Sequence, residues 1–133
     1  MSAMRLKMRN GLFFARCTLN ADTDIEMWGI VDSGSRTTFL TSAIYDRAGL
    51  KYKGKLKNIV CSHGKSHRNL EVPTYRSTMT LGNVTVKCTS PAYDGRLMAG
   101  EINADAILGT NILCHFDGRL NWSAGTGSLE QMG

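Results

Sequence analysis

Long apolar segments and closely spaced cysteines are both missing from this sequence of 133 residues. No hydrophobic run approaches the roughly 18 residues that a membrane-spanning helix requires, so we expect no membrane association. The basic first nine residues also lack the continuous apolar core of a secretory signal peptide. We therefore expect the protein inside the cell, or inside a particle that is assembled there.

The four cysteines lie far apart, and no Cys-x-x-Cys pair occurs. They are Cys17, Cys61, Cys88 and Cys114. An even number of cysteines would permit a disulfide framework in a secreted protein, but nothing in the sequence indicates secretion. Free thiols, which pack as small apolar side chains, are therefore the favoured interpretation.

The spacing of potential metal ligands matches no common zinc site. The nearest candidate is Cys61, His63 and His67, and a fourth ligand would have to come from elsewhere in the chain. A solvated turn explains both histidines, so we expect no metal and no other cofactor.

The charge balance is basic, with 16 lysines and arginines, 11 acidic residues and a formal net charge of +5. Part of the excess lies in four alternate lysines that would share one face of an extended segment: Lys51, Lys53, Lys55 and Lys57. Such a face could attract nucleic acid, and a basic β domain that binds nucleic acid stays an alternative. An edge strand protected by lysines is favoured, because no aromatic side chains accompany the charges for base stacking.

The hydrophobic pattern is mostly that of β-strands in one domain of modest size. Alternation and short apolar runs predict strands at residues 12–19, 25–31, 56–61, 69–72, 74–81, 84–88 and 119–122. Gly82-Asn83 lies between two alternating runs and predicts a tight hairpin. Short helices are predicted at residues 43–48 and in the turn that ends at Cys114, with Thr110 or Asn111 as its cap.

Composition divides the chain into three segments. Residues 1–11 form a basic N-terminal segment, and residues 12–122 contain the strand pattern of a folded domain. Residues 123–133 are small, polar and rich in glycine, so we predict a flexible C-terminal tail.

The main candidate for a reactive group in this sequence is an aspartate at the end of an apolar strand. Asp32-Ser33-Gly34 follows the run Trp28-Gly29-Ile30-Val31. Two carboxylates that share one proton can activate water, one as the base and the other as the acid. Because the motif occurs once, a second copy of the chain would have to supply the other carboxylate. Gly34 suits a tight turn there, and the hydroxyl of Ser33 could bond across a symmetric interface.

A second signal lies near the C-terminus, in the segment Ile107-Leu108-Gly109 and the apolar residues after it. With both motifs, the chain resembles the retropepsin-like aspartic proteases of retroviruses, LTR retrotransposons and their domesticated relatives. The order, spacing and size of the parts agree over residues 12–122, and residues 59–70 correspond to the flap hairpin of that family.

The resemblance implies a mostly β, closed retropepsin-like barrel with one short C-terminal helix. It also implies a homodimer in which the terminal strands of both chains interleave, so that residues 1–11 include a possible dimer strand. The site roles that it implies are catalysis by Asp32, support by Ser33, Gly34 and Ser35, a substrate-binding flap at Ser62, His63, Gly64 and Lys65, and a structural second motif at Ile107, Leu108 and Gly109.

The function that the resemblance implies is an aspartic endopeptidase, which binds extended polypeptide and processes a polyprotein. Such a protein would be cytoplasmic or inside a virus-like particle. The chain departs from many viral enzymes at Arg36 and Thr110, where those enzymes carry an acid and an arginine, and its flap has one glycine. A catalytically inactive module for dimerisation or peptide binding on the same fold is therefore the alternative.

Overall fold

The computed structural model describes residues 3–21, 23–48, 52–60, 66–93 and 104–132. Within these ranges the chain forms eleven strands and two short helices. The strands are β1 (Ala3–Arg5), β2 (Lys7–Arg9), β3 (Leu12–Asn20), β4 (Ile25–Val31), β5 (Phe39–Thr41), β6 (Tyr52–Val60), β7 (Ser66–Leu81), β8 (Val84–Tyr93), β9 (Ala106–Leu108), β10 (Phe116–Asn121) and β11 (Thr126–Gln131). The helices are α1 (Ser42–Ala48) and α2 (Thr110–Leu113).

Six of the strands close into a barrel. The larger sheet has the order β2-β3-β4-β9-β5-β8-β7-β6, and an additional pairing joins β3 to β7. That pairing, with Leu19 opposite Met79, completes a ring through β3, β4, β9, β5, β8 and β7. The prediction of a mostly β, closed barrel is thus confirmed, although α1 is present besides the C-terminal helix that the resemblance implies.

The barrel core comes from alternating strand residues. In β3 and β7 the inward side chains Leu19, Met79 and Leu81 are fully buried, and Ile44 of α1 packs into the same cluster. Burial of a large apolar side chain of this kind contributes about 1.5–3 kcal/mol to stability. The alternation of apolar residues in the sequence therefore identifies the side chains of β3 and β7 that lie in the core.

The strand β9 lies between β4 and β5 and positions the end of β4. It runs parallel to β4, with Val31 opposite Leu108, and antiparallel to β5, with Phe39 opposite Ile107. Gly29 makes this packing possible, because a Cβ there would lie 2.7 Å from Cγ of Leu108. The two apolar sequence signals, 77 residues apart, therefore meet side by side.

The C-terminal segment is a strand where the sequence predicts a flexible tail. β11 pairs with β10 on one side and with β1 on the other, in a three-stranded sheet with the order β1-β11-β10. Leu129 of β11 is buried among core residues. The chain reverses at residues 122–125, where Gly125 has a positive φ and Asn121 accepts a hydrogen bond from the backbone of Ala124. The tail prediction is wrong for Thr126–Gln131, since a single leucine among polar residues reveals no alternation.

The N-terminal segment pairs within its own chain. Ala3 lies opposite Glu130 and Arg5 opposite Ser128, and the backbone N–H of Leu6 donates to the carbonyl of Gly127 over 2.9 Å. β1 therefore pairs with β11 of the same chain, and an inter-subunit role of residues 1–11 stays a prediction.

The lysine-rich segment occupies a sheet edge. β6, which includes Lys53, Lys55 and Lys57, is the last strand of the larger sheet, and among the described residues it pairs with β7 alone. Edge strands commonly carry lysine, which opposes pairing with other chains. This position agrees with the favoured interpretation of the basic segment.

Three of the four cysteines lie in the described ranges, and all three are free thiols: Cys17, Cys88 and Cys114. Burial raises the pKa of the Cys17 thiol to about 12, so its reactive thiolate is scarce at neutral pH. Neither helix in the described ranges has the length and apolarity to cross a membrane.

Candidate active site

Asp32 directly follows β4, and its backbone is fixed by β9. The N–H of Asp32 donates to the carbonyl of Leu108 over 3.0 Å, which continues the ladder one residue beyond the paired strands. The residue is half-buried at the end of the barrel strand. Its carboxylate is therefore presented by a rigid sheet and is still accessible to solvent.

The turn after Asp32 holds the carboxylate. The N–H of Gly34 donates to Oδ1 of Asp32 over 3.0 Å, and the N–H of Ser35 donates to the Asp32 carbonyl over 3.2 Å. A Cβ on Gly34 would lie 3.2 Å from the same Oδ1, so a side chain there would crowd the carboxylate. The glycine is explained by this close approach of backbone and acid.

Ser35 connects the turn to the second motif. Its hydroxyl donates to the carbonyl of Thr37 over 2.7 Å, and its own carbonyl accepts from the N–H of Thr110 over 2.7 Å. Ser33, in contrast, is exposed, and its hydroxyl has no hydrogen-bond partner in the part of the chain that the structure describes. Ser35 is thus engaged within the chain, whereas Ser33 is available for a contact outside it.

Thr38 is a buried link that sequence analysis missed. Its hydroxyl donates to Oδ1 of Asn111 over 2.7 Å and accepts from the N–H of Gly109 over 3.0 Å. The residue has no solvent exposure. The sequence signal is weak, since a hydroxyl residue beside a Ser-Gly turn usually indicates local capping, whereas these partners lie more than 70 residues away.

Replacing Thr38 with valine is expected to lower the free energy of unfolding by about 2 kcal/mol, because Gly109 and the half-buried Asn111 lose their hydrogen bonds to a buried hydroxyl at nearly constant volume. Thr38→Ser keeps the hydroxyl and loses one methyl, so about 1 kcal/mol is expected. Urea unfolding followed by circular dichroism measures both variants. If valine were tolerated better than serine, the hydroxyl would not be the stabilising group.

Gly109 packs directly against the turn that follows Asp32. A Cβ at this position would lie 2.4 Å from the backbone oxygen of Thr37 and 2.8 Å from its nitrogen. Gly109 is also the N-cap of α2, with an extended backbone and no side-chain cap. The prediction that Thr110 or Asn111 caps this helix is therefore wrong, and Asn111 instead bonds Thr38.

The structure brings the two predicted motifs together. Asp32, Ser33, Gly34 and Ser35 form one turn, and Ile107, Leu108 and Gly109 lie beside its base. The predicted flap residues Ser62, His63, Gly64 and Lys65 lie outside the described residues. The strands on either side of them, β6 and β7, pair antiparallel as predicted for a hairpin.

Two grooves of the described residues lie at the terminal sheet, and Asp32 lines neither of them. The larger of the two has a volume of about 650 Å³ and lies between residues such as Arg5, Arg119 and Ser128. The described residues also include no cluster of His, Cys, Asp and Glu that could hold a metal ion. The Asp32 turn itself is open to solvent, since Asp32 is half-buried and Ser33 and Gly34 are exposed.

Comparison with known proteins gives a structural match. No protein-family model matches the chain, and no curated protein matches its sequence. The structure is similar to the crystal structure of a retropepsin-like aspartic protease from Rickettsia conorii, with a TM-score of 0.64 and 17% sequence identity over 96% of this chain and 89% of that chain. The chain therefore has the fold of a retropepsin-like aspartic protease, with a closed barrel and few helices.

Proposed function

We propose that this protein is an aspartic endopeptidase that acts as a homodimer. The observation that carries the proposal is the Asp32 turn, which emerges from a barrel strand of the retropepsin-like fold with its carboxylate held by the N–H of Gly34. The chain carries this turn once, so two copies are needed for a pair of carboxylates.

The chemistry follows from two carboxylates that share one proton. Like charges a few ångström apart do not both ionise easily, so one Asp32 of the pair stays protonated. The ionised carboxylate accepts a proton from water while the protonated one donates to the carbonyl oxygen of the scissile peptide. The bond from Gly34 fixes the carboxylate plane for this exchange, and Ser35 and Thr38 hold the turn against β9 and α2.

The proposed substrate is a polypeptide in extended conformation. It would lie across the two Asp32 turns, beneath the segments that contain Ser62, His63, Gly64 and Lys65. Processing of a polyprotein, in the cytoplasm or inside a virus-like particle, belongs to the same proposal and rests on the resemblance of the motifs.

The test combines peptide cleavage with a measurement of molecular mass. A library of fluorogenic peptides is incubated with the protein between acidic and neutral pH, while sedimentation equilibrium measures the fraction of dimer. We expect turnover to follow the dimer fraction and to show a bell-shaped pH dependence from the shared proton. A stable dimer that cleaves no peptide would contradict the proposal and favour the non-catalytic binding module.

A further inference from the structure

A second apolar cluster lies on the outside of the barrel, on the side of Asp32. Its members are Leu12, Phe14, Trp28, Ile30, Ala104 and Ile107. Phe13 and Val31, which alternate with cluster residues along β3 and β4, pack into the barrel core instead. Because successive strand residues point to opposite faces and the ladder continues to the N–H of Asp32, Asp32 shares the outer face with Ile30.

β2 extends this outer face with basic side chains. The turn Asn10-Gly11 joins β2 to β3, and its positive φ angles of 52° and 79° are those of a tight hairpin. Lys7 lies opposite Phe14, and Arg9 lies opposite Leu12. Directly opposed residues share one face of a sheet, so both basic residues belong to the outer face.

β2 is held on both sides of Lys7. The N–H of Leu6 donates to the carbonyl of Gly127 over 2.9 Å, and Nζ of Lys7 lies 4.8 Å from the centre of the Trp28 ring. A cation over an aromatic face is an attractive contact. Arg9, which is exposed, therefore stands on a strand with a fixed position.

The strand register places Arg9 in the row of Asp32. Phe14 lies opposite Ile30 in the ladder of β3 and β4, so Leu12 and Asp32 come opposite one another two residues further along. Neighbouring strands are about 4.8 Å apart, which puts the Cα atoms of Arg9 and Asp32 about 10 Å apart. The long side chain of Arg9 can thus reach a peptide that passes over Asp32.

A second arginine lies in the turn that follows Asp32. Arg36 is exposed, and the backbone on either side of it is held in place. The carbonyl of Ser35 accepts from the N–H of Thr110, and the carbonyl of Thr37 accepts from the hydroxyl of Ser35. The turn therefore fixes the backbone of Arg36 and leaves its side chain in solvent.

Neither arginine has an acidic partner in the part of the chain that the structure describes. The ion pair formed there joins Arg16 to Glu26. Asp24 and Asp105 directly precede β4 and β9, two parallel strands that run toward the Asp32 turn. Both acids therefore lie at the starts of these strands, away from the turn, and the charge of the two arginines is not compensated.

We propose that the substrate carries acidic side chains two to four residues from the scissile bond and that Arg9 and Arg36 bind them. The inference names the substrate class of the proposed protease and rests on that function. Two copies supply four arginines, whereas two carboxylates that share one proton carry a single net negative charge. An extended peptide advances about 3.3 Å per residue, so the 10 Å or so between Arg9 and Asp32 corresponds to about three residues.

The apolar cluster favours an acidic peptide over a nucleic acid as the bound chain. Leu12 lies between Arg9 and Asp32, and Ile30 lies next to Asp32 on the same face. A nucleic acid carries a phosphate at every nucleotide, so some charges would rest on apolar side chains. A peptide places apolar residues there and acidic residues beyond them.

Three fluorogenic peptides test the preference. Each has leucine on both sides of the scissile bond and carries glutamate, glutamine or lysine at the third residue in either direction. An exposed ion pair is worth up to about fivefold, so two pairs should raise kcat/KM roughly tenfold for the glutamate peptide over the glutamine peptide. The lysine peptide should be the poorest substrate. The ratio should approach one in about 1 M NaCl, which screens exposed charges.

Charge reversal assigns the preference to the two arginines. Arg9→Glu and Arg36→Glu should each remove most of it, and the double variant should prefer the lysine peptide. Loss of structure would lower all three rates and would not reverse their order. The matched control is Arg47→Glu, which makes the same charge change at an exposed position on α1 and should preserve the order.

Binding separates this inference from the proposed function. Asp32→Asn keeps both arginines, and fluorescence anisotropy measures its affinity for labelled forms of the three peptides and for a single-stranded RNA. Tighter binding of the glutamate peptide, reversed when Arg9→Glu and Arg36→Glu are added, would support the inference even if no peptide were cleaved, a result that would contradict the protease.

Three results would overturn the inference. They are cleavage or binding without the expected order, an order that the double variant leaves unchanged, and no binding of any peptide. Efficient cleavage of all three peptides at one rate would still support the protease. Tighter binding of the RNA than of the glutamate peptide, lost in the double variant, would assign the arginines to nucleic acid instead.

Discussion

Asp32→Asn is expected to reduce peptide cleavage by about a thousandfold or more and to leave the fold intact. An amide neither accepts the proton of the attacking water nor shares a proton with the second carboxylate, and acid–base catalysis of this kind contributes about 10²–10⁴-fold. The asparagine side chain has the same shape, and its oxygen can still accept the hydrogen bond from Gly34. The chain should therefore unfold at an unchanged urea concentration.

The matched control is Asp46→Asn, which makes the same chemical change at an exposed position on α1. It should cleave peptides at the wild-type rate. Cleavage that persists at Asp32→Asn, in protein purified free of contaminating proteases, would contradict the assignment of Asp32.

The same variant tests whether two copies share one site. If each active dimer needs both Asp32 carboxylates, then an excess of the Asp32→Asn chain should suppress wild-type cleavage by forming mixed dimers. The expected residual activity falls with the fraction of wild-type homodimer, measured at a total concentration where the protein is dimeric. Cleavage that depends only on the concentration of the wild-type chain, and does not fall when the Asp32→Asn chain is added, would indicate that each copy contains a complete site.

Gly109→Ala is expected to have the largest effect on stability, a loss of about 2–3 kcal/mol in the free energy of unfolding. The new Cβ would overlap the backbone of Thr37, and backbone cannot rotate away as a flexible side chain can. The turn would have to move relative to β9, which also lengthens the bond from Gly109 to Thr38. Cleavage should fall with stability, because the same movement displaces the Asp32 turn.

Gly118→Ala provides the comparison, since its Cβ would meet only Cδ2 of Leu129 at an ordinary contact distance of 3.4 Å. Urea unfolding should show a change of less than about 1 kcal/mol for that variant. Equal stability of the two alanine variants would mean that the close approach of Gly109 and Thr37 does not exclude a side chain at position 109.

Local patterns predicted much of the barrel. The alternation in residues 12–19 and 74–81 placed strands correctly, and Gly82-Asn83 marked the turn between β7 and β8. These features depend on side-chain period and turn chemistry, which act over a few residues.

Features that depend on distant partners were missed. Thr126–Gln131 became a strand because β1 and β10 lie on either side of it, although its own composition favours a tail. Thr38 acquired its role because β9 and α2 bring Gly109 and Asn111 to its hydroxyl. Neither outcome is encoded within a window of a few residues, since hydrogen bonding to a distant strand overrides weak local preference.

By itself the sequence determined the strand that ends at Asp32 and the single Asp-Ser-Gly motif on which the proposed reaction and the proposed second copy rest. Asp32 occurs once in its motif, and the preceding apolar run has to be a strand that ends there. Only the tertiary structure decided how the terminal strands pair, because each of them is short and polar and takes its position from its neighbours. The place of β11 between β1 and β10 in the terminal sheet follows from that pairing.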